Sequence, residues 1–314
     1  LEFKEEVIMI DILSKRYLYF AISLLVILPG LVILAASGLP LSIDFTGGSL
    51  LEVQFEAGKA PQPADLVALY EKEGINDAQV QTTDSGTFVI RSSFLDNETR
   101  DSVLTAMETE TGSVVSVIRF DSVGPSIGKQ VTSRAALAVG VAALAVVIYI
   151  TTAFRKVPHA FRYGVCAVIA MVHDVAVVFS IAGIGAILFD WQMDALFLTA
   201  LLTVIGFSVQ DKVVVFDRIR ENSNILRRLD YETLVNHSIV QTLQRSINTQ
   251  LMTVEFLLLS LALFGGITLQ EFAVILLFGL FSGTYSSIFV AAPILVLWEN
   301  QEWKNWFGRR KSAA

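Results

Sequence analysis

The chain has 314 residues, 54% of them hydrophobic and only 17% charged, with a mean hydropathy of +0.60. Soluble domains carry about 25% charged residues, so this balance excludes an ordinary soluble protein and implies a membrane-embedded one. A single cysteine, Cys166, excludes a disulfide framework and a thiolate metal cluster, and the net charge of −7 matters less than where the positive charges lie.

The chain begins at Leu1 rather than Met, as a fragment or the second half of a longer polypeptide would. Residues 1–16 are mixed in charge and too polar for the apolar core of a signal peptide. Residues 17–37 are apolar and long enough to cross a bilayer as an uncleaved span, with a kink expected at Pro29-Gly30. A hydrophilic segment follows over 38–133. It reads as strand Ser49–Phe55, helix Pro63–Glu73 and strands Ala78–Thr82 and Thr87–Ser92, joined by the turn Asp84-Ser85-Gly86. Helix Asn97–Thr109, with Asn97 as its cap, and strand Val114–Phe120 complete it. The order β-α-β-β-α-β predicts a small α+β domain of the ferredoxin-like kind, a fold that identifies no function by itself. Further spans are expected at 134–153, 162–189, 195–216, 251–267 and 272–298. A helical connection over 217–250 should lie along the membrane surface, and 299–314 form a tail. The fold class is therefore a polytopic α-helical membrane protein with six transmembrane helices and one extracytoplasmic α+β domain.

Topology follows from the basic residues. Lys15 and Arg16, Arg155 and Arg162, Arg218 to Arg245, and Arg309 to Lys311 all fall at alternate ends of the spans. The short connections 190–194 and 265–271 hold acids but no Lys or Arg. Both termini are expected in the cytoplasm. No RNA-binding aromatic signature is present, and an external position of the α+β domain argues against nucleic acid.

Within the fourth span stands a carboxylate, Asp211. A charge inside a membrane is costly, roughly 2.5–3.5 kcal/mol on insertion scales, so an intramembrane acid is a functional hypothesis by default. Thr199, Thr203, Gly206 and Gln210 make a small-polar stripe beside it and predict that this face looks into the helix bundle. From Ala195 to Asp211 is roughly 24 Å, which puts the acid in the cytoplasmic half of the membrane. Burial favours the neutral carboxyl and a nearby cation the carboxylate, so a partner that comes and goes lets such a group load and release a proton. The partner expected by position is Arg245. Lys212 points about 100° away round the helix and is expected to snorkel to the cytoplasmic interface. His173-Asp174 in the third span forms a second ionisable pair, and Glu255 is a possible additional acid. Each also has a plain structural reading, as an ion pair at a helix end or a satisfied contact between helices. No HExxH, nucleophile elbow, phosphate loop or dinucleotide fingerprint is present, so neither enzyme chemistry nor a metal or cofactor is expected. Asp44-Phe45-Thr46-Gly47-Gly48 reads as a structural turn.

These residues resemble a known family. Asp44 to Gly48, Val123 to Gly128, His173-Asp174-Val175, Thr203 through Asn222 and Gly283 to Phe289 together are similar to the motifs of SecF, the smaller half of the SecDF accessory unit of bacterial protein export. The resemblance runs over roughly residues 12–300. It implies six spans, a ferredoxin-like outer domain, and membership of the resistance-nodulation-division superfamily in the bacterial cytoplasmic membrane. It implies SecD, the SecYEG channel, YajC and the translocating preprotein as partners. The proton gradient would drive the outer domains, with Asp211 as proton site and Arg245 as its basic partner. Two positions depart from the pattern: Lys212, where a small hydroxyl residue is usual, and Glu255, where an apolar one is expected. A small-molecule exporter on the same six-span unit would need a much larger external domain, and a non-transporting scaffold would need no proton site.

Overall fold

In lipid a backbone has no partner but itself, so long apolar runs fold as helices. The computed structural model describes residues 10–56, 58–83, 86–155, 160–250, 256–264 and 267–302. It is mostly helical with one small sheet, and it divides into two compact units, Leu41–Leu137 and the rest of the described chain. Among the described residues five helices are long and apolar enough to cross a membrane. The expected fifth span is described only as a shorter helix, Phe256–Phe264, because residues 251–255 and 265–266 lie outside the described set.

The sheet unit opens with α2 (Ile43–Thr46) and β1 (Gly48–Phe55), following the first long helix, α1 (Arg16–Ser37). Then come α3 (Pro63–Lys72), β2 (Gln79–Thr82), β3 (Phe88–Ser92), α4 (Asn97–Thr111) and β4 (Val115–Val123). The strands pair antiparallel in the order β2-β3-β1-β4. The two-residue alternation of strands sends Leu51, Val53 and Phe55 of β1 and Phe88 and Ile90 of β3 into one core. Helical spacing brings Leu66, Leu69 and Tyr70 of α3, and Val103 and Met107 of α4, onto that same core. Residues 84–85 of the expected hairpin turn are not among the described residues.

The cap of α4 is Asp96 rather than the expected Asn97: its carboxylate accepts from the Thr99 amide at 2.8 Å. That hydrogen bond holds the Asp96 carboxyl below the usual carboxylate range. A depressed folded-state value means that the stabilisation is complete at neutral pH and is lost as pH falls through the carboxylate range. The protection factors of the Thr99 and Arg100 amides, exchange rates corrected for the intrinsic pH dependence, are therefore expected to fall on acidification, and Asp96→Asn to remove that change. Protection with the same pH profile in Asp96→Asn would remove the cap from the explanation.

The turn at Gly47-Gly48 has the structural character expected of it. Both glycines have positive φ, 76° and 126°. A Cβ on Gly47 would lie 2.9 Å from Pro125 Cα, and one on Gly128 would lie 2.6 Å from the Gly47 nitrogen. Asp44 sits in the first turn of α2, which Ser42 caps by accepting from the Asp44 amide at 3.2 Å. Only glycine permits this backbone conformation together with such close contact.

The helical unit continues through α5 (Pro125–Phe154), α6 (Ala160–Phe189), α7 (Ala195–Ile225), α8 (Tyr231–Gln250), α9 (Phe256–Phe264) and α10 (Ile267–Ser286). A π-helical turn, Ser287–Ala291, leads into α11 (Ala292–Glu299). The first thirteen residues of α5 are counted with the sheet unit. Expected boundaries at 134 and 216 fall inside continuous helices, because α5 starts at Pro125 and α7 runs to Ile225. The connection expected to be helical holds α8, a helix with one face buried. Leu234, Val235 and Ile239 of α8 join the core formed by Val215, Phe216 and Ile219 of α7 and Leu295 and Val296 of α11. Ile225, Leu229 and Ile247 are exposed. Asn236 on α8 also pins the chain before α1, accepting from the Ile12 amide and donating to the Ile10 carbonyl, both at 2.9 Å. Arg16 bridges Glu232 at 2.6 Å and Glu302 at 2.9 Å, which ties the start of α1 to the start of α8 and the end of α11.

Candidate functional site

Small residues let helices approach closely, and polar ones hydrogen-bond across the contact. α1 docks on α6 this way: Ser180 donates to the Val26 carbonyl at 2.6 Å beside the buried Gly30. One and two turns away on the same pair of helices, His173 Nε2 is 2.9 Å from Ser23 Oγ. His173 Nδ1 is 3.1 Å from Asp174 Oδ1. With an ionised carboxylate and a neutral imidazole, Nδ1–H donates to Asp174 and Nε2 accepts from Ser23.

Asp174 is fully buried at the junction of three helices. Ser282 and Ser286, one turn apart on α10, donate to its two oxygens at 2.7 and 2.8 Å. Ser208 and Lys212, one turn apart on α7, both reach Oδ2, the ammonium at 2.7 Å. Lys212 spends its other protons on the Ser208 carbonyl at 3.1 Å and the Ser208 hydroxyl. Opposite charges in contact, each with a full set of hydrogen bonds, are the condition under which a buried ion pair is tolerated. The pair is thus closed in both charge and hydrogen bonding. The sequence expectation for Lys212 is corrected here: it does not snorkel, being 0% exposed. A four-carbon stem reaches an interface only if nothing nearer binds the ammonium, and Asp174 does.

Asp211 has a different environment. It is 6% exposed, and its partners among the described residues are neutral: Thr284 on α10 at 2.9 Å and Gln250 on α8 at 3.4 Å. Arg245 is exposed on α8 and makes no hydrogen bond or ion pair among the described residues, so the expected contact with Asp211 is not formed in this structure. Glu255 lies outside the described residues. The stripe Thr199, Thr203, Gly206 and Gln210 was expected to face the bundle. Gly206 and Gln210 are exposed, nothing lies within 4 Å of a Cβ built on Gly206, and the buried face of α7 instead carries Val204, Ile205, Ser208 and Lys212.

The contacts that Lys212, Ser208, Ser282, Ser286, Thr284 and Gln250 make with the two acids were not read from the sequence. A signal did exist. Ser208 with Lys212, and Ser282 with Ser286, are polar pairs at four-residue spacing inside apolar helices, the pattern expected where two helices share a buried charge. Directly after Ser286 the backbone widens into the π turn. Such turns are frequent at functional sites.

Comparison with known proteins fits this geometry to a family. The profile of the protein export membrane protein SecD/SecF C-terminal domain matches residues 103–301, and that of the SecD/SecF GG motif matches residues 32–59. The chain belongs to the SecD/SecF family. It is 68% identical to the protein translocase subunit SecF of Anaerolinea thermophila over 96% of this chain and 98% of that one. It is 45% identical to SecF of Thermobaculum terrenum over 98% of this chain and 99% of that one. Against the crystal structure of SecDF, a translocon-associated membrane protein from Thermus thermophilus, the TM-score is 0.78 at 32% identity. That match covers 93% of this chain and 39% of the longer SecDF chain, so the chain spans well under half of that relative. Within the SecD/SecF frame the C-terminal match contains every residue of the Asp174 and Asp211 sites, and the GG-motif match contains the Gly47-Gly48 turn.

Proposed function

We propose that this chain is the SecF subunit of a protein translocase, coupling the proton motive force to preprotein export across the bacterial cytoplasmic membrane. In this reading SecD is its partner, separate or fused, and SecYEG and YajC complete the assembly. The chain crosses the membrane six times with both termini cytoplasmic, and its α+β domain is extracytoplasmic. The sheet order β2-β3-β1-β4 supports a ferredoxin-like fold for that domain. Protons are the coupling ion.

The observation that carries the reading is the contrast between two buried acids one helix apart. Asp174 is closed by an ammonium, whereas Asp211 has a hydroxyl and an amide as its partners among the described residues. Both of those groups donate and accept, so they serve a carboxyl in either protonation state. Arg245 then acts as the cation of the other state, reaching Asp211 when α8 shifts, and His173 and Asp174 hold the neighbouring charge in place. Moving one charge across the membrane supplies roughly 2.3 kcal/mol per 100 mV, enough to bias a rearrangement whose states differ by a few kcal/mol.

The test is Asp211→Asn in cells that lack their own copy, with export followed by pulse-chase and assembly by copurification with SecD. Export is expected to fall to the level of cells without the protein while assembly is unchanged. Normal export in the assembled variant would end the proton role. A scaffold predicts instead that export tracks protein abundance, which an immunoblot measures.

A further inference from the structure

Besides the apolar residues that join the core, the buried side of α8 carries a line of polar ones. Ser238, Thr242, Ser246 and Gln250 recur every fourth residue and all are buried. They cover roughly 18 Å at 1.5 Å per residue. The seam they form with α7 is marked at both ends: Asn222 donates to Ser238 at 2.8 Å, and Gln250 donates to Asp211 at 3.4 Å. On α7 the buried positions between those ends, beyond Lys212, are the apolar Val215, Phe216 and Ile219, and the partly exposed Arg218 donates to Gln241 of α8 near the Asn222 end.

Two atoms on this seam have no partner among the described residues. Ser238 and Thr242 donate to carbonyls of their own helix, at 2.8 and 3.1 Å. Ser246, one turn further along the same face and 2% exposed, leaves its hydroxyl without a hydrogen bond among the described residues. The Gln250 Oε1, at 5% exposure, is orphaned in the same way. A serine hydroxyl in a dry helix contact can turn to the carbonyl four residues back, as its neighbours do here. Buried polar atoms left open beside a carboxylate are where water is expected.

We infer that the α7–α8 seam is a water-lined access route to Asp211, running from the Asn222 end past Ser246 and Gln250. Its wall is hydroxyls and one amide on α8 and apolar side chains on α7, so it holds water without holding an ion. The charged groups around Asp211 agree with this. Lys212, next to it on α7, is turned to Asp174 on α6; α10 offers Thr284; Arg245 on α8 is exposed. The purpose of the route, delivering a proton, rests on the reading of Asp211 given above, whereas its hydration does not.

The experiment uses the fact that Cys166 is the only cysteine of the chain and is buried. Ser246→Cys is nearly isosteric. Membrane vesicles containing the assembled complex are exposed to Ag⁺ from both sides, a thiol probe narrow enough to follow water. Surviving thiols are then counted by maleimide mass-tagging after denaturation. Ser246→Cys is expected to lose its thiol to Ag⁺ as completely as Asn224→Cys at the exposed end of α7, while Cys166 and Ile239→Cys in the apolar core stay protected. Thr242→Cys is a second variant with the same expected loss. Protection of both cysteines at the level of Cys166 would overturn the route. A reactive Ser246→Cys combined with normal export in Asp211→Asn would leave the seam hydrated and remove its proton role. A dry seam with export lost in Asp211→Asn would do the reverse.

Discussion

Replacing Lys212 by Met is expected to destabilise the helical bundle by about 3–5 kcal/mol, and adding Asp174→Asn in the same chain to restore most of it. The reasoning starts from what each single change leaves behind. Lys212→Met leaves a carboxylate, 0% exposed, with no cation. Asp174→Asn leaves an ammonium with a neutral amide in place of the carboxylate, beside the carbonyl and hydroxyl of Ser208. Neither charge reaches water, so each is unpaired in a low-dielectric site, where an uncompensated ion is most costly. The two singles should not be equal. The carboxylate keeps Ser208, Ser282, Ser286 and His173 as donors, four side chains in all, so Lys212→Met is the milder. The double variant buries a neutral amide and a thioether of similar volume, and an isosteric neutral pair is often as stable as the ion pair it replaces. Thermal unfolding of the four proteins, purified with their partner subunit, gives the coupling energy directly. Additive losses across the cycle would mean that the two groups do not sense each other, and the closed pair would have to be abandoned.

Much of this was legible in the sequence, and the boundary is instructive. The element order of the sheet domain, the two glycines of the turn and the two buried acids are written in composition and local pattern: Leu51, Val53 and Phe55 alternate, and Asp211 is a charge in an apolar run. The partners of those acids are not. Lys212 lies next to Asp211 in the chain, yet helical geometry turns it to Asp174, 38 residues away. Arg245 is the expected cation by charge and by its place in the chain, but place is not direction, and its side of α8 is exposed. The stripe of Thr199, Thr203, Gly206 and Gln210 failed for a related reason. Small polar residues mark a face suited to close helix contact, and sequence alone does not say whether the contacting helix belongs to the same chain.

Gly30→Ala is the second change expected to have a large effect, and it acts on the same site from a distance. A Cβ on Gly30 would lie 2.2 Å from the Ser180 carbonyl oxygen and 2.3 Å from Ser180 Cα, and a Cβ on Gly183 would lie 2.9 Å from the Gly30 carbonyl. Backbone atoms cannot rotate away as a side chain can, so α1 and α6 must separate. Overpacking of this kind costs about 1–3 kcal/mol before any lost bond is counted. Separation also stretches the Ser180–Val26 hydrogen bond and, one and two turns along, the contact between Ser23 and His173. Ser23 and Gly30 are the buried residues of α1; the ion pairs of Arg16 and the Tyr285 hydrogen bond to the Tyr19 carbonyl hold only its first turns. Once Ser23 withdraws, His173 loses the acceptor-side bond that fixes its ring, and its Nδ1–H no longer points steadily at Asp174. The expected result is a lower unfolding temperature together with a weakened Lys212–Asp174 coupling energy when the cycle is repeated in the Gly30→Ala background. The matched control is Gly140→Ala on α5, where nothing lies within 4 Å of the new Cβ. There the better helix propensity of Ala should leave stability unchanged or raise it slightly. If Gly30→Ala behaved like Gly140→Ala, α1 would not be held against α6 by close backbone contact, and the link from the first helix through His173 to the buried charge pair would fail with it.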